Sequence, residues 1–141
     1  AQDVTVALGT DGAASNNTQD LFAELRLAAL LAKHTQADPT QGQASDVLKM
    51  ATINGARALG LDRDIGSLEV GKSADIIAIN TQQPGMAPVH DPFASLVHNN
   101  SGSAVTTVMV AGTTLVADGR LNKINTDELC RKARRWQLQL S

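Results

Sequence analysis

An alternating pattern near the start of the chain predicts a β-strand over Val4–Leu8. Val4, Val6 and Leu8 alternate with Thr5 and Ala7, and all of these residues are small or apolar. Such a composition is typical of a strand covered on both faces, as in a parallel sheet. Because the chain offers no later βαβ unit to pair with it, we expect this strand to belong to a larger protein of which the sequence is one piece.

Apolar residues at helical spacing follow in two segments. The first predicts a helix over Thr18–Lys33, with Asn17 or Thr18 as its N-cap and Asp20 in its first turn. Its apolar face is wide, so we expect it to be buried against a sheet and a neighbouring helix. The second predicts a helix over Ser45–Leu59.

The second half of the chain shows short strand patterns separated by glycine-rich and proline-rich turns. The continuous apolar run Ile76–Ile79 predicts a central, covered strand, and an Asp118-Gly119 turn follows the last strand. A short apolar stretch lies at Phe93–Val97, and an amphipathic helix begins at Thr126. The predicted strands are Ser67–Val70, Ala74–Ile79, Val105–Ala111 and Thr114–Ala117.

Composition narrows the classes of function. The chain has 141 residues, enough for one ordinary domain, and a formal net charge of -2, which does not favour nucleic-acid binding. No apolar run approaches the roughly 18 residues of a membrane span. The single cysteine, Cys130, excludes an intramolecular disulfide and favours a reducing compartment, so we expect a cytoplasmic protein.

Asp11 is the main candidate for chemistry. It follows the predicted strand directly, between Thr10 and Gly12, and ligands of parallel α/β sheets bind beyond the carboxyl ends of the strands. The flanking glycines, Gly9 and Gly12, allow a sharp turn and close approach of a ligand. A simple Asp-Gly turn explains the same residues equally well.

The polar residues after Asp11 are further candidates. Ser15, Asn16 and Asn17 could hydrogen-bond a polar substrate, or they could only cap the following helix. The three histidines, His34, His90 and His98, are scattered without metal-binding spacing and are interpreted as surface or structural residues.

Three blocks of the sequence resemble one known family. LGTDGAASNN (Leu8–Asn17), followed by DLFAELRLAALL (Asp20–Leu31), resembles the last barrel strand and helix of the amidohydrolase superfamily. The loop favours the 5-methylthioadenosine/S-adenosylhomocysteine deaminases over the related triazine hydrolases. MATINGARALGLDRDIGSLEVGKSADIIAIN (Met50–Asn80) and VTTVMVAGTTLVADGRL (Val105–Leu121) are similar to blocks shared by many amidohydrolases.

The resemblance implies an α/β fold in two parts. Residues 1–60 would form the end of a TIM-type (β/α)8 barrel, with its last strand, loop and helices. Residues 61–121 would form the C-terminal part of a small composite β-sandwich, and residues 122–141 a C-terminal helix.

The resemblance also implies metal-dependent deamination at the 6-amino group of a purine nucleoside. Asp11 matches the family's aspartate after the eighth strand, which binds one divalent metal, usually zinc, and accepts a proton from the attacking water. Iron is the alternative metal, because one aspartate does not identify it. Relatives of this kind are often homo-oligomers.

The sequence departs from the family in lacking the paired histidines and the third histidine of the metal site. Since catalytic zinc takes about three protein ligands and water, we expect the other ligands in a missing N-terminal part, and the chain to be inactive alone. The alternatives left open are an amidohydrolase acting on triazines, guanine-like or oxidised purines, and a non-catalytic α/β association module.

Overall fold

The structure, a computed structural model, describes residues 4–140. Residues 1–3 of the predicted barrel part and residue 141 of the predicted C-terminal helix lie outside the described residues. Helices come first, an antiparallel sheet follows, and a helix ends the described chain. The helices are α1 (Leu21–Gln36), α2 (Ala44–Met50), α3 (Ile53–Ala58), α4 (Pro92–His98) and α5 (Thr126–Leu140). The strands are β1 (Ile76–Ile79), β2 (Val105–Val110), β3 (Thr113–Ala117) and β4 (Arg120–Leu121).

The strand predicted at Val4–Leu8 is not a member of any sheet in the described part of the chain. The segment is held instead by the helices, because the Leu8 amide donates to the Met50 carbonyl at 2.9 Å and the Asn54 side chain donates to the Val6 carbonyl at 3.2 Å. A strand needs a neighbouring strand to complete its hydrogen bonds, and no other strand of the described residues lies next to Val4–Leu8.

Helix α1 begins later than predicted. Its N-cap is Asp20, whose carboxylate accepts from the amides of Phe22 at 2.9 Å and Ala23 at 3.4 Å. Neither Asn17 nor Thr18 caps the helix. Asp20 was predicted inside the first turn of a helix that begins at Thr18, but it precedes a helix that begins at Leu21. An aspartate is among the best N-caps because its side chain satisfies amides that have no partner within the helix.

The second predicted helix is two helices. The break lies at Ala51 and Thr52, where Thr52 has φ -128° and ψ -100° and its hydroxyl donates to the Leu48 carbonyl at 2.8 Å. A threonine side chain that bonds back to the preceding turn competes with the regular ladder. The chain therefore turns between α2 and α3 rather than continuing straight to Leu59.

The hydrophobic core of the described residues lies among α1, α2 and α4. Leu25 and Ala29 of α1 pack with Val47 of α2 and Val97 of α4, all of them buried. The apolar stretch at Phe93–Val97 is thus the buried helix α4. The predicted packing of α1 against a neighbouring element is confirmed by its contacts with α2 and α4, and the described chain shows no comparable packing of α1 on the sheet.

One glycine lets the loop after α1 lie close to that helix. Gly42 has φ +58°, and a Cβ there would lie 2.8 Å from the Ala29 carbonyl oxygen and 2.9 Å from the Ala32 Cβ. Lys33 fastens the same loop by donating to the carbonyls of Gln41 at 2.9 Å and Gly42 at 3.1 Å. Any side chain at position 42 would push this loop away from α1.

The sheet has the order β1-β2-β3-β4, with every pair antiparallel. The prediction that β1 is central and covered is wrong for the described chain, because β1 is an edge strand and Ile77 is 49% exposed. The predicted hairpin is confirmed, with Val108 opposite Val116 and a shift in register beside it. The predicted turn at Asp118-Gly119 is also confirmed, with φ values of 49° and 72°.

The strand predicted at Ser67–Val70 is absent from the described sheet, and a turn occupies its place. Lys72 organises the turn by donating to the Asp62 carbonyl and to the Ser67 hydroxyl, both at 2.6 Å. Ser67 donates in turn to the Glu69 carboxylate. These local side-chain bonds replace the pairing that a strand would need.

Candidate active-site loop

Asp11 lies in an exposed loop between the segment Val4–Leu8 and α1. Its backbone has φ 59°, in the left-handed region, which aspartate tolerates better than most residues. One carboxylate oxygen, Oδ1, accepts from the Gly12 amide at 2.7 Å, and the Thr10 hydroxyl donates to the Asp11 carbonyl at 3.2 Å. The side chain of this exposed residue is therefore oriented by its own loop.

The turn after Asp11 is closed by backbone hydrogen bonds. The Gly12 carbonyl accepts from the amides of Ser15 at 2.9 Å and Asn16 at 3.0 Å. Gly12 thus contacts the Asp11 carboxylate through its amide and the next turn through its carbonyl. This peptide links the candidate residue to the rest of the loop.

Asn16 is the one partly buried residue between Asp11 and Asp20. Its side-chain oxygen accepts from the Thr18 amide at 3.2 Å, the Thr18 hydroxyl at 3.0 Å and the Gln19 amide at 3.3 Å. Its side-chain amide donates to Glu24 Oε1 on α1 at 2.7 Å. Both ends of this side chain are occupied by protein groups, whereas Ser15 and Asn17 lie exposed beside it.

Glu24 contacts the candidate loop through Asn16, a contact that the sequence did not predict. It lies in the first turn of α1, where an acidic side chain also suits the positive end of the helix dipole. That position gave a sufficient reason for a glutamate, so the sequence carried no separate signal of a partner eight residues upstream. The contact becomes visible only when the loop folds back onto α1.

The described residues offer no complete cluster of metal ligands. They contain no group of three or more histidine, cysteine, aspartate or glutamate side chains placed to bind one. His34 lies in the last turn of α1 and His98 is the last residue of α4, and neither forms such a group with Asp11. The donor set at the loop fits one carboxylate ligand of a divalent cation and does not fit a complete zinc site.

Comparison with known proteins identifies the family. The sequence pattern of the Amidohydrolase family matches residues 1–115. The chain belongs to the amidohydrolase family. This amidohydrolase chain is 50% identical over 129 residues to the 5-methylthioadenosine/S-adenosylhomocysteine deaminase of Moorella thermoacetica, a match that covers 92% of the chain and 30% of that enzyme.

Solved structures agree on the fold. A zinc-bound adenosine deaminase from Xanthomonas campestris matches this amidohydrolase chain with a TM-score of 0.92 and 40% identity, over 96% of the chain and 31% of that protein. A zinc complex of the atrazine chlorohydrolase from Arthrobacter aurescens matches with a TM-score of 0.82 and 34% identity, over 94% and 29%. The chain therefore has the fold of the corresponding part of a TIM-barrel-type amidohydrolase.

The chain spans about 30% of the length of the curated relatives it matches. The described helices include none that is both long and apolar enough to cross a membrane.

Proposed function

We propose that the protein containing this amidohydrolase chain is a metal-dependent hydrolytic deaminase. Its substrates would be adenosyl thioethers, 5-methylthioadenosine and S-adenosylhomocysteine, which lose the 6-amino group as ammonia. The observation that carries the proposal is the oriented carboxylate of Asp11 in its loop. The chain that contains it is 50% identical in sequence to an enzyme named for this reaction. The missing N-terminal part of the same protein would supply the rest of the site.

Asp11 would serve as one ligand of a single divalent metal, with zinc preferred because the solved relatives hold zinc. When bound, such a metal lowers the pKa of a water molecule to about 7 and makes it a nucleophile at neutral pH. The Asp11 carboxylate would accept a proton from the attacking water and deliver it to the amine, which leaves as ammonia. The Gly12 amide holds Oδ1 in place during both transfers, so the carboxylate does not have to reorient.

The roles of the neighbouring polar residues differ in this proposal. Ser15 and Asn17 are exposed in the same loop as Asp11 and would hydrogen-bond the substrate. Asn16 is bound to Thr18, Gln19 and Glu24 and would contribute through the shape of the loop.

The architecture proposed for the whole protein is a (β/α)8 barrel with a composite β-sandwich. Residues 1–60 would complete the barrel, residues 61–121 would form part of the sandwich around the described sheet, and residues 122–141 would form the last helix. Helix α4 lies within the second range but packs on α1 and α2. We also propose a homo-oligomer in the cytoplasm, the latter on the ground of the single cysteine, Cys130.

A triazine hydrolase is the second candidate. It is favoured by the structural match to the atrazine chlorohydrolase, but the identity of 34% is lower than the 50% to the adenosyl deaminase. Both reactions would use the same carboxylate, so the fold does not distinguish the two candidates. They are distinguished by which substrate the full-length protein accepts.

The test is a substrate panel on the full-length protein with zinc supplied. Ammonia release is expected from 5-methylthioadenosine and S-adenosylhomocysteine, and chloride release from atrazine is not expected. A preference for atrazine, guanine or an oxidised purine would overturn the proposed substrate. Absence of turnover on every member would overturn the assignment as an enzyme and favour the association module.

The Asp11→Asn variant tests the assigned residue in the same assay. It keeps the size of the side chain but removes the negative charge and the basicity, so we expect activity below a few per cent of wild type with the fold retained. Asp46→Asn is the matched control, because Asp46 is an exposed carboxylate on α2 paired only with Lys49 at 2.9 Å. Activity of Asp11→Asn comparable to that control would exclude Asp11 as ligand and base.

A further inference from the structure

Asn16 connects the Asp11 turn to the rigid helix α1. Three hydrogen bonds form the path. The Gly12 backbone N–H donates to the Asp11 carboxylate, the Asn16 backbone N–H donates to the Gly12 carbonyl, and the Asn16 side-chain amide donates to Glu24. The distances along it are 2.7 Å, 3.0 Å and 2.7 Å. Asp11 itself is exposed and has a left-handed backbone, so its position depends on such contacts.

The chemistry of the amide fixes which way Asn16 points. Its oxygen meets the donors of Thr18 and Gln19, and its NH2 group meets the Glu24 carboxylate. A flipped amide would place donors against two backbone amides and an oxygen against a carboxylate. A hydrogen bond to a charged acceptor is stronger than one between neutral groups, so the Glu24 contact is a strong attachment of the loop to α1.

Resting on the proposed function, we propose that Asn16 is a positioning residue for the Asp11 carboxylate, anchored by Glu24. We assign it positioning rather than substrate binding, because its side-chain oxygen and one N–H of its side-chain amide are already bound within the protein. Groups that orient a metal-binding carboxylate without touching the metal contribute to metal affinity and to activity by about 10–100-fold. The side chain of Asn16 is held by Glu24, its backbone N–H holds the Gly12 carbonyl, and the Gly12 N–H orients the Asp11 carboxylate.

The test reverses the polarity of the contact in the full-length protein. Asn16→Asp keeps the acceptor for Thr18 and Gln19 but puts a second carboxylate against Glu24. Glu24→Gln keeps an acceptor for Asn16. The double variant Asn16→Asp/Glu24→Gln restores a bond in which the glutamine donates to the aspartate, with the same formal charge as wild type. Asn80→Ala is the matched control, because Asn80 makes a similar turn contact to the Gln82 amide at 2.9 Å after β1.

Two quantities are measured for each variant: the affinity for Zn²⁺ in competition with a chelating dye, and kcat and KM on 5-methylthioadenosine. We expect Asn16→Asp to lower both zinc affinity and kcat by about 10–100-fold with little change in KM. The double variant should regain most of both losses, Glu24→Gln should show a smaller loss of both because a neutral acceptor holds Asn16 less strongly, and Asn80→Ala should stay near wild type. Retained zinc affinity and kcat with a raised KM would overturn the proposal and make Asn16 a substrate ligand.

The same experiment separates this proposal from the proposed function. If wild type binds zinc but does not release ammonia, the function fails, and the zinc affinities still decide the role of Asn16. A double variant no better than Asn16→Asp, or an Asn80→Ala loss as large as that of Asn16→Asp, would overturn the positioning role. Wild type without zinc binding would overturn it as well, because Asp11 would then have no metal to be positioned for.

Discussion

The segment Val4–Leu8 and the hairpin of β2 and β3 both alternate in the manner of strands, but only the hairpin forms a sheet. The hairpin closes through a turn with Ala111 at φ 46° and Gly112 at φ 76°, and each strand finds its partner a few residues away. Val4–Leu8 has the composition of a parallel strand, whose partners are distant in the chain. Val4 remains 66% exposed and Val6 51% exposed.

Helix α1 shows the same difference on its two faces. Leu25 is 3% exposed in the core with α2 and α4, whereas Leu27, Leu30 and Leu31 are 50%, 52% and 51% exposed. Apolar surface of this extent on a helix is normally covered by another part of the structure. The hairpin therefore finds its partners locally, whereas Val4–Leu8 and the outer side of α1 leave apolar surface exposed on which we expect other parts of the protein to pack.

The largest expected effect is on that surface in the full-length protein. Leu31→Ala should cost about 2–5 kcal/mol of unfolding free energy, as much as Leu25→Ala in the core, because both side chains would be buried there. Leu138→Ala on α5, where the side chain is 79% exposed, is the control. Urea unfolding measures all three, and a cost for Leu31→Ala as small as for Leu138→Ala would contradict the barrel-facing assignment.

An intermediate effect is expected at the hairpin turn. Gly112→Ala should destabilise the protein by about 1–2 kcal/mol through backbone strain alone, since a Cβ at position 112 would meet nothing within 4 Å. Ala111→Asn should instead be mildly stabilising, because asparagine accepts a left-handed backbone more readily and Asn-Gly is a favoured hairpin pair. Thermal unfolding of both variants is the measurement, and shifts in the same direction would show that the turn does not control the hairpin.

The smallest effect is expected in the turn before β1. The hydrogen bond from Ser67, with the nearby Lys72, holds the pKa of Glu69 below its usual range. Glu69 therefore adds stability above its unfolded pKa of about 4.3, and the contribution is lost as the pH falls through the lower folded value. Unfolding temperatures between pH 3 and 7 should fall less steeply in acid for Glu69→Gln than for wild type. Glu128→Gln on exposed α5 is the control, and identical profiles for wild type and Glu69→Gln would exclude the effect.

Local patterns predicted the elements that are stabilised locally. The hairpin, the turn at Asp118-Gly119 and the helix from Thr126 were predicted, because each depends on neighbours in sequence. The predictions failed where distant or side-chain contacts decide the structure. The turn at Ser67–Val70 depends on Lys72, and the position of β1 at an edge depends on which strands the described chain provides.

The candidate site was predictable in part for the same reason. Asp11 stands out because glycines and a predicted strand end surround it. The contact between Asn16 and Glu24 was not predictable, because it requires the loop to fold back across eight residues onto α1. Its geometry separates Asn16 from Ser15 and Asn17, which the sequence presents as equivalent.

We expect this chain to provide one carboxylate to a metal site that another part of the protein completes. The most direct test is light scattering combined with zinc analysis on the purified 141-residue chain, with the full-length protein alongside. We predict that the isolated chain associates through its uncovered apolar surface and retains no tightly bound zinc, whereas the full-length protein holds one zinc per chain. A stable, monodisperse monomer of the isolated chain with one tightly bound zinc would contradict the claim, because its metal site and core would then be complete.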